Sequence, residues 1–370
     1  MIALRNLDQT NSMRLLSLDF LRGLIMVLLT MESTGLFEHL YHATEGNLLQ
    51  GFFTQFFHHP WNGLYFWDLI QPGFMFIAGT AMAYSLNKQQ QLGMSWNQSF
   101  FKILRRCGWL FFWGVLDYAV RKHGLSFELW DVLTQLAFTT LIAFLVFRFS
   151  FTTQIIICIG ILLLTEGLYR FTHVPGFDEP FTNGKNFGNY MDLVLMRKIN
   201  GDGWVAINCI PTAVHTIAGA MAGKLLMSDR KKIAPLLYWA GICMLLGYGL
   251  DWSGITPIIK RIATSSFTLA SLGWCLAALA LCYWWIDQKN HRNNLKIFTV
   301  VGMNSIFIYL FIEIVASRWF NGYVAAITNG LMKMIDTPQT LMNIITSLCI
   351  FALEWSMCYF LYKKKIFFRV

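Results

Sequence analysis

The 370 residues are 56% hydrophobic and only 13% charged, with a mean hydropathy of +0.49. A water-soluble domain carries roughly twice that charged fraction, so an ordinary globular fold in water is excluded and lipid is the expected solvent for most of the chain. The formal charge of +9 does not point to nucleic acid, because the basic residues sit in short clusters between apolar segments and form no continuous face.

A membrane-crossing helix needs about 20 mainly apolar residues, rising about 1.5 Å each across a core of about 30 Å. Segments of that kind lie near 15–37, 64–86, 99–120, 131–148, 151–170, 204–226, 233–250, 264–286, 297–317 and 340–362. They predict an all-α fold, a polytopic transmembrane bundle of about ten helices forming one domain over 1–370. The first stretch, Leu15 to Phe37, has no small-residue cleavage site and reads as a span and not a signal peptide. With a cytoplasmic N-terminus, eighteen Lys and Arg fall on the inner side and ten on the outer, with Arg22 inside a span. That asymmetry predicts both termini in the cytoplasm and the long loops 38–63 and 171–203 outside. The eight cysteines lie in or beside the spans without a CxxC pair, a pattern of apolar packing more than of disulfides or zinc.

Ionisable groups at membrane depth are the first functional candidates. Asp19 and Arg22 stand three apart on one helical face, where they either pair structurally or leave Arg22 to receive an anionic ligand. Glu32, further out on the same helix, is either a proton-handling group or a partner for another helix. The outer loop supplies His58-His59-Pro60-Trp61-Asn62-Gly63, then Asp68-Leu69-Ile70-Gln71-Pro72. Tandem histidines there are either interfacial residues beside an aromatic belt or a general base or nucleophile. No metal site is expected, since adjacent histidines rarely reach one ion and no third ligand stands at helical spacing. Lys102, Arg105 and Arg106 form a basic cluster that either anchors topology or attracts phosphates. Asp68, Gln71, Asp117, Glu166, Asn208, His215, Asn304, Glu313 and Glu354 add polar groups along later segments. Most are expected to close interhelical hydrogen bonds, and so many in one bundle suggest a polar interior cavity.

Three blocks together resemble the heparan-α-glucosaminide N-acetyltransferase family. They are Arg14-x-x-Ser17-x-Asp19-x-x-Arg22-Gly23; His58-x-x-Trp61-Asn62-Gly63 with Asp68-Leu69-Ile70-x-Pro72 and Phe74-Met75-Phe76-Ile77-x-Gly79; and Gly302-Met303-Asn304-Ser305 with Tyr309 and Glu313. The ending Tyr362-Lys363-Lys364-Lys365-Ile366-Phe367 is similar to the family's last-helix terminus. The resemblance implies a membrane-embedded acetyltransferase that takes acetyl-CoA from the cytoplasmic side and acetylates a terminal glucosamine on the far side. His58 matches the family's catalytic histidine, and His59 is the neighbour that serves as control. In that frame Asn304 or Asn208 is a candidate oxyanion donor and Glu32 a third candidate for the chemistry. Arg22, Lys102, Arg105 and Arg106 are candidates for acetyl-CoA, and Asp68, Trp61, Asn208 and Glu313 for the acceptor sugar. Two departures stand out: the lumenal domain and extra helix that precede the core in the lysosomal enzyme are missing, and Glu32-Ser33 stands where the family often has Asn. The expected partners are the bilayer and a sugar acceptor, with a homodimer left open, and the expected location is a bacterial inner membrane. The rival readings are a transporter of a small polar solute, which lacks a visible inverted repeat, and a non-catalytic membrane subunit.

Overall fold

The computed structural model describes residues 15–120 and 125–368. Arg5 and Arg14, together with Arg121, Lys122 and Arg369 of the charge count, lie outside the described residues. Among the described residues every regular element is helical. In chain order these are α1 (Leu16–Ser33), α2 (Leu36–Ala43), α3 (Leu48–Thr54), a 3₁₀ turn (Phe66–Leu69) that runs into α4 (Ile70–Gln91), α5 (Trp96–Ala119), α6 (Val132–Val146) and α7 (Phe151–Phe171). There follow α8 (Phe187–Met196), α9 (Cys209–Met227), α10 (Ile233–Trp252), α11 (Ser265–Cys282), α12 (Lys296–Met303), α13 (Ser305–Phe311), α14 (Asn321–Lys333) and α15 (Gln339–Lys363).

The starts of these helices follow from short polar side chains that satisfy the first free backbone N–H groups. Ser95, Asp131, Ser150, Asn186 and Thr264 each accept such a bond at the head of α5, α6, α7, α8 and α11. The bend of 66° between α1 and α2 falls at Gly35, whose φ of 75° is open to glycine at little steric cost.

All ten expected segments contain helix, and the exact count of ten spans is not confirmed. Six helices are long and apolar enough to cross a membrane alone, or seven if the bent α1–α2 pair is one span. The shortfall has physical causes. α5 carries Lys102, Arg105, Arg106 and Asp117; α6 has only 15 residues; α9 is enclosed by protein along most of its length and needs less lipid-facing surface. The expected span 297–317 also divides differently. The chain breaks at Asn304, and α13 continues through a π-helical stretch (Ile312–Phe320) into α14, so that Ser305–Lys333 is one span of 29 residues. Arg318 and Lys333 therefore sit within a helix and not in an outer loop.

Without water between helices, tight packing in lipid relies on small residues that let backbones approach. α4 and α9 make the most extensive helix contact in the bundle. Gly79 faces the carbonyl of Thr216 there, and Gly219 faces that of Phe76, each too close to admit a Cβ. The same holds between α1 and α12, where Gly23 lies against the carbonyl of Phe298 and Gly302 against the backbone of Gly23. Three glycines of the sequence motifs, Gly23, Gly79 and Gly302, thus serve backbone seams. Gly79→Leu is expected to lower the melting temperature of the purified protein sharply or abolish its recovery, since overpacking costs about 1–3 kcal/mol or more. Gly108→Ala, where nothing stands within 4 Å, should be neutral or slightly stabilising in the same thermal assay.

Candidate active site

Three connecting segments meet over one end of the bundle. Trp61 Nε1 donates to the Phe181 carbonyl at 2.7 Å, Gly63 N to the Ile258 carbonyl at 2.8 Å, and the Arg261 guanidinium to the Pro60 carbonyl. Loops 38–63 and 171–203 therefore lie on the same side, locked to the turn that joins α10 to α11. Ile258, Ile259, Ile262 and Ala263 are buried and anchor that turn.

His58 stands at the centre of this cap. Its Nδ1 lies 3.1 Å from Asp68 Oδ1 and 3.0 Å from the Lys260 ammonium, which is itself 3.5 Å from the same carboxylate oxygen. The other oxygen, Oδ2, accepts the backbone N–H of Tyr65 at 2.9 Å and of His59 at 3.2 Å. Asp68 is the third residue of the turn that opens α4, so its reach back to Tyr65 is ordinary helix-start chemistry. Here the same carboxylate also orients an imidazole. Asp68 is 1% exposed and Lys260 7%, whereas the His58 side chain keeps 41% of its surface open. Among the described residues no hydrogen bond engages His58 Nε2. Burial lowers the proton affinity of His58 below the usual histidine range, and the Lys260 cation adds to this against the pull of Asp68. Burial also lowers Lys260, to about 8.

His58 opens into a chamber of about 300 Å³ whose wall also includes Glu32, Gln71, Asp131, Trp204, Lys260 and Glu313. Trp130 and Asp131 are held from behind. Asp192, on α8, accepts from Trp130 Nε1 at 3.0 Å and from Ala206 N at 2.8 Å, and burial raises it to about 6. A second chamber of about 390 Å³ contains Arg22, Ser85, Arg106, Gly302 and Ser305. Phe74, Val132 and Tyr309 line both chambers, and Tyr309 donates its hydroxyl to Asp131 at 2.7 Å within this shared wall. Arg22 and Glu32 lie on one helix ten residues apart, roughly 15 Å of rise, so the chambers stand end to end along the bundle. In the second one, Arg106 Nε is buried and has no hydrogen-bond partner among the described residues. Arg22 adds a second guanidinium, with Asp19 3.9 Å away.

The candidates from sequence divide accordingly. His58, Asp68, Glu32 and Glu313 come together around the first chamber, and Arg22 and Arg106 around the second. Lys102 and Arg105 lie on the exposed face of α5. Trp61 and Asn208 brace the cap instead, Asn208 Nδ2 donating to the Arg261 carbonyl at 3.2 Å. Asn304 holds the C-terminal segment, donating to the Ile366 carbonyl at 3.2 Å and accepting from Phe368 N at 3.0 Å. His59 turns from the chamber and stacks edge-on to Tyr65 at 4.6 Å. Glu166 joins Arg170, Thr256 and Ser265, and His215 bonds Ser271, as interhelical polar contacts. Sequence reading missed Lys260, Asp131, Trp204 and Asp192. For Lys260 the one available signal was a lone basic pair, Lys260-Arg261, in a short connection between two spans.

The architecture is that of a multi-pass integral membrane protein with an Asp–His–Lys cluster, its Asp and Lys buried and its His half open, between a cap and a polar chamber. No protein-family model matches the chain. It is 24% identical, over 432 aligned residues, to the heparan-alpha-glucosaminide N-acetyltransferase of Mus musculus, and the match takes in 98% of this chain. The chain spans 61% of that relative's length.

Proposed function

We propose that this protein is a transmembrane acetyltransferase that moves the acetyl group of cytosolic acetyl-CoA to an amino sugar on the extracytoplasmic side, with His58 as general base. The single observation that supports this best is the pairing of an imidazole, open at Nε2, with a second chamber lined by two guanidinium groups across a shared wall. Attack of an amine on a thioester requires a base for the amine proton and a place for the anionic nucleotide. In this reading the acceptor nitrogen forms a bond to the acetyl carbon in the chamber of His58. Nε2 takes the nitrogen's proton, the C–S bond breaks, and the departing CoA thiolate is protonated in turn. Asp68 holds Nδ1–H and so keeps the lone pair on Nε2. Glu32 and Glu313 suit an acceptor that arrives as an ammonium, one of these carboxylates taking the first proton to free the nitrogen lone pair before Nε2 takes the second.

The residues of the second chamber fit the phosphates of CoA, because Arg106 has an unpartnered buried N–H beside a second guanidinium. Arg106→Met is expected to raise KM for acetyl-CoA by about tenfold or more, the loss of one charge-assisted contact. It should change kcat much less, as read from initial rates at saturating glucosamine. The experiment that tests the reading as a whole incubates purified protein with labelled acetyl-CoA and glucosamine and looks for labelled N-acetylglucosamine. A failure to bind acetyl-CoA would remove the reading. Two chambers end to end also suit a solute carrier, and sugar counterflow in proteoliposomes without acetylation would favour that instead.

A further inference from the structure

We propose that Lys260 is the positioning residue of this site: its ammonium, set against Nδ1, keeps a second proton off the His58 ring so that the imidazole waits as a neutral base. The inference rests on reading His58 as that base, and it assigns the reason the base is available.

An imidazole beside a carboxylate has a standing problem. The negative charge favours the imidazolium, and an imidazolium has no lone pair with which to accept a proton. Asp68 alone would push His58 in that direction. Its Oδ2 is occupied by two backbone N–H groups, so its remaining acceptor, Oδ1, faces the ring at 3.1 Å. Lys260 answers this charge from the other side, 3.0 Å from Nδ1 and 3.5 Å from Oδ1; with the ring proton on Nδ1, the ammonium N–H groups turn to Oδ1 and to the Trp204 face, and only its charge bears on the ring. Carboxylate and ammonium cancel only while the ring is neutral. A further proton on the half-open ring would leave a net positive charge against a carboxylate and an ammonium that are almost fully buried, where ion solvation is poor.

The neighbours do not undo this balance. Arg261, the next residue, acts on His58 in the same sense as Lys260. The charged groups that oppose it across the chamber are Glu32 from α1, Asp131 from the head of α6 and Glu313 from the stretch after α13. Among the described residues none of the three is hydrogen-bonded to the ring, and Tyr118, Trp130 and Trp204 complete the wall with aromatic groups. The ammonium is also fixed in place. It lies 5.3 Å over the Trp204 ring, a cation–π contact, and its backbone belongs to the turn closed by Ala263 N on the Lys260 carbonyl at 2.9 Å.

The test compares wild type, Lys260→Met and Lys260→Arg in detergent. The rate at which diethyl pyrocarbonate modifies His58, followed by peptide mass between about pH 5 and 8, reports the fraction of neutral ring. In Lys260→Met the midpoint should rise by about one pH unit or more, and in Lys260→Arg it should return towards wild type. The acid limb of kcat/KM for acetyl transfer should move with it, so that the methionine variant loses about fivefold or more at the pH of the wild-type midpoint. An unchanged or lowered midpoint in Lys260→Met overturns the proposal, even if its rate falls, because a purely structural lysine would lower activity without moving the titration. If Lys260→Met is not recovered folded, Lys260→Gln is read the same way. The modification needs neither acetyl-CoA nor acceptor. A shifted midpoint in a protein that transfers no acetyl group would sink the acetyltransferase reading while leaving the action of Lys260 on His58 standing.

Discussion

Replacing His58 with alanine is expected to lower acetyl transfer to glucosamine by about 10²–10⁴-fold, the usual contribution of a positioned general base. Acetyl-CoA affinity should stay within about twofold, because Arg22 and Arg106 line the other chamber and lie beyond the wall formed by Phe74, Val132 and Tyr309. The pH dependence has a definite sign. His58 is held below the ordinary histidine range, so activity is present above that lowered value and disappears as the pH falls through it. His59→Ala is the matched control. Its ring packs on Tyr65 and does not reach the chamber, so a loss of less than about tenfold is expected from small shifts in the loop. Initial-rate measurements and equilibrium binding of labelled acetyl-CoA decide the case. Undiminished transfer in His58→Ala would remove the imidazole from the reaction.

The second large effect is expected at Asp68. Four groups depend on this one carboxylate: the His58 ring, the Lys260 ammonium and the backbone N–H groups of Tyr65 and His59. Asp68→Ala leaves a buried ammonium and two buried N–H groups without their acceptor, and breaking a buried pair in this way costs about 3–5 kcal/mol. A marked fall in melting temperature should follow, with loss of the cap that carries His58. Asp68→Asn separates chemistry from folding. The amide can still accept from the backbone through its oxygen, but its NH₂ then presents donors to Nδ1 and to Lys260. The ring must turn its lone pair towards Nδ1, which puts the proton on Nε2, where a base needs none. A fall of about 10²–10⁴ in kcat with a much smaller thermal shift is expected. Full activity in the asparagine variant would rule out Asp68 as the group that orients the ring.

Much of this was legible before the structure, and the limits of legibility are physical. His58 and Asp68 are ten residues apart, and a loop running into a helix start brings such neighbours together with little chain closure to specify. Lys260 is 202 residues from His58, and nothing in its local sequence separates a buried cation from one that marks membrane topology. The helical segments were visible because apolar runs of span length are unmistakable in a lipid-solvated chain. Their number was not fixed by those runs, because α5 carries four charged side chains and α6 has only 15 residues. Asn304 shows a further limit. Its short motif was readable, but its side chain is committed to the backbone of Ile366 and Phe368, a tertiary partnership that no pattern of spacing encodes.

The seam between α1 and α12 bears on how a bulky nucleotide could get in. Gly23 and Gly302 leave the two backbones in direct contact, and surfaces interlocked at that distance cannot slide or part without losing their packing along the whole contact. These helices therefore travel as one rigid strut. Any widening of the arginine-lined compartment falls to its other borders, to α4, to α5, which carries Arg106, to α6, and to the returning segment at Phe368. If the proposed reaction holds, a nucleotide enters past one of these and not between α1 and α12.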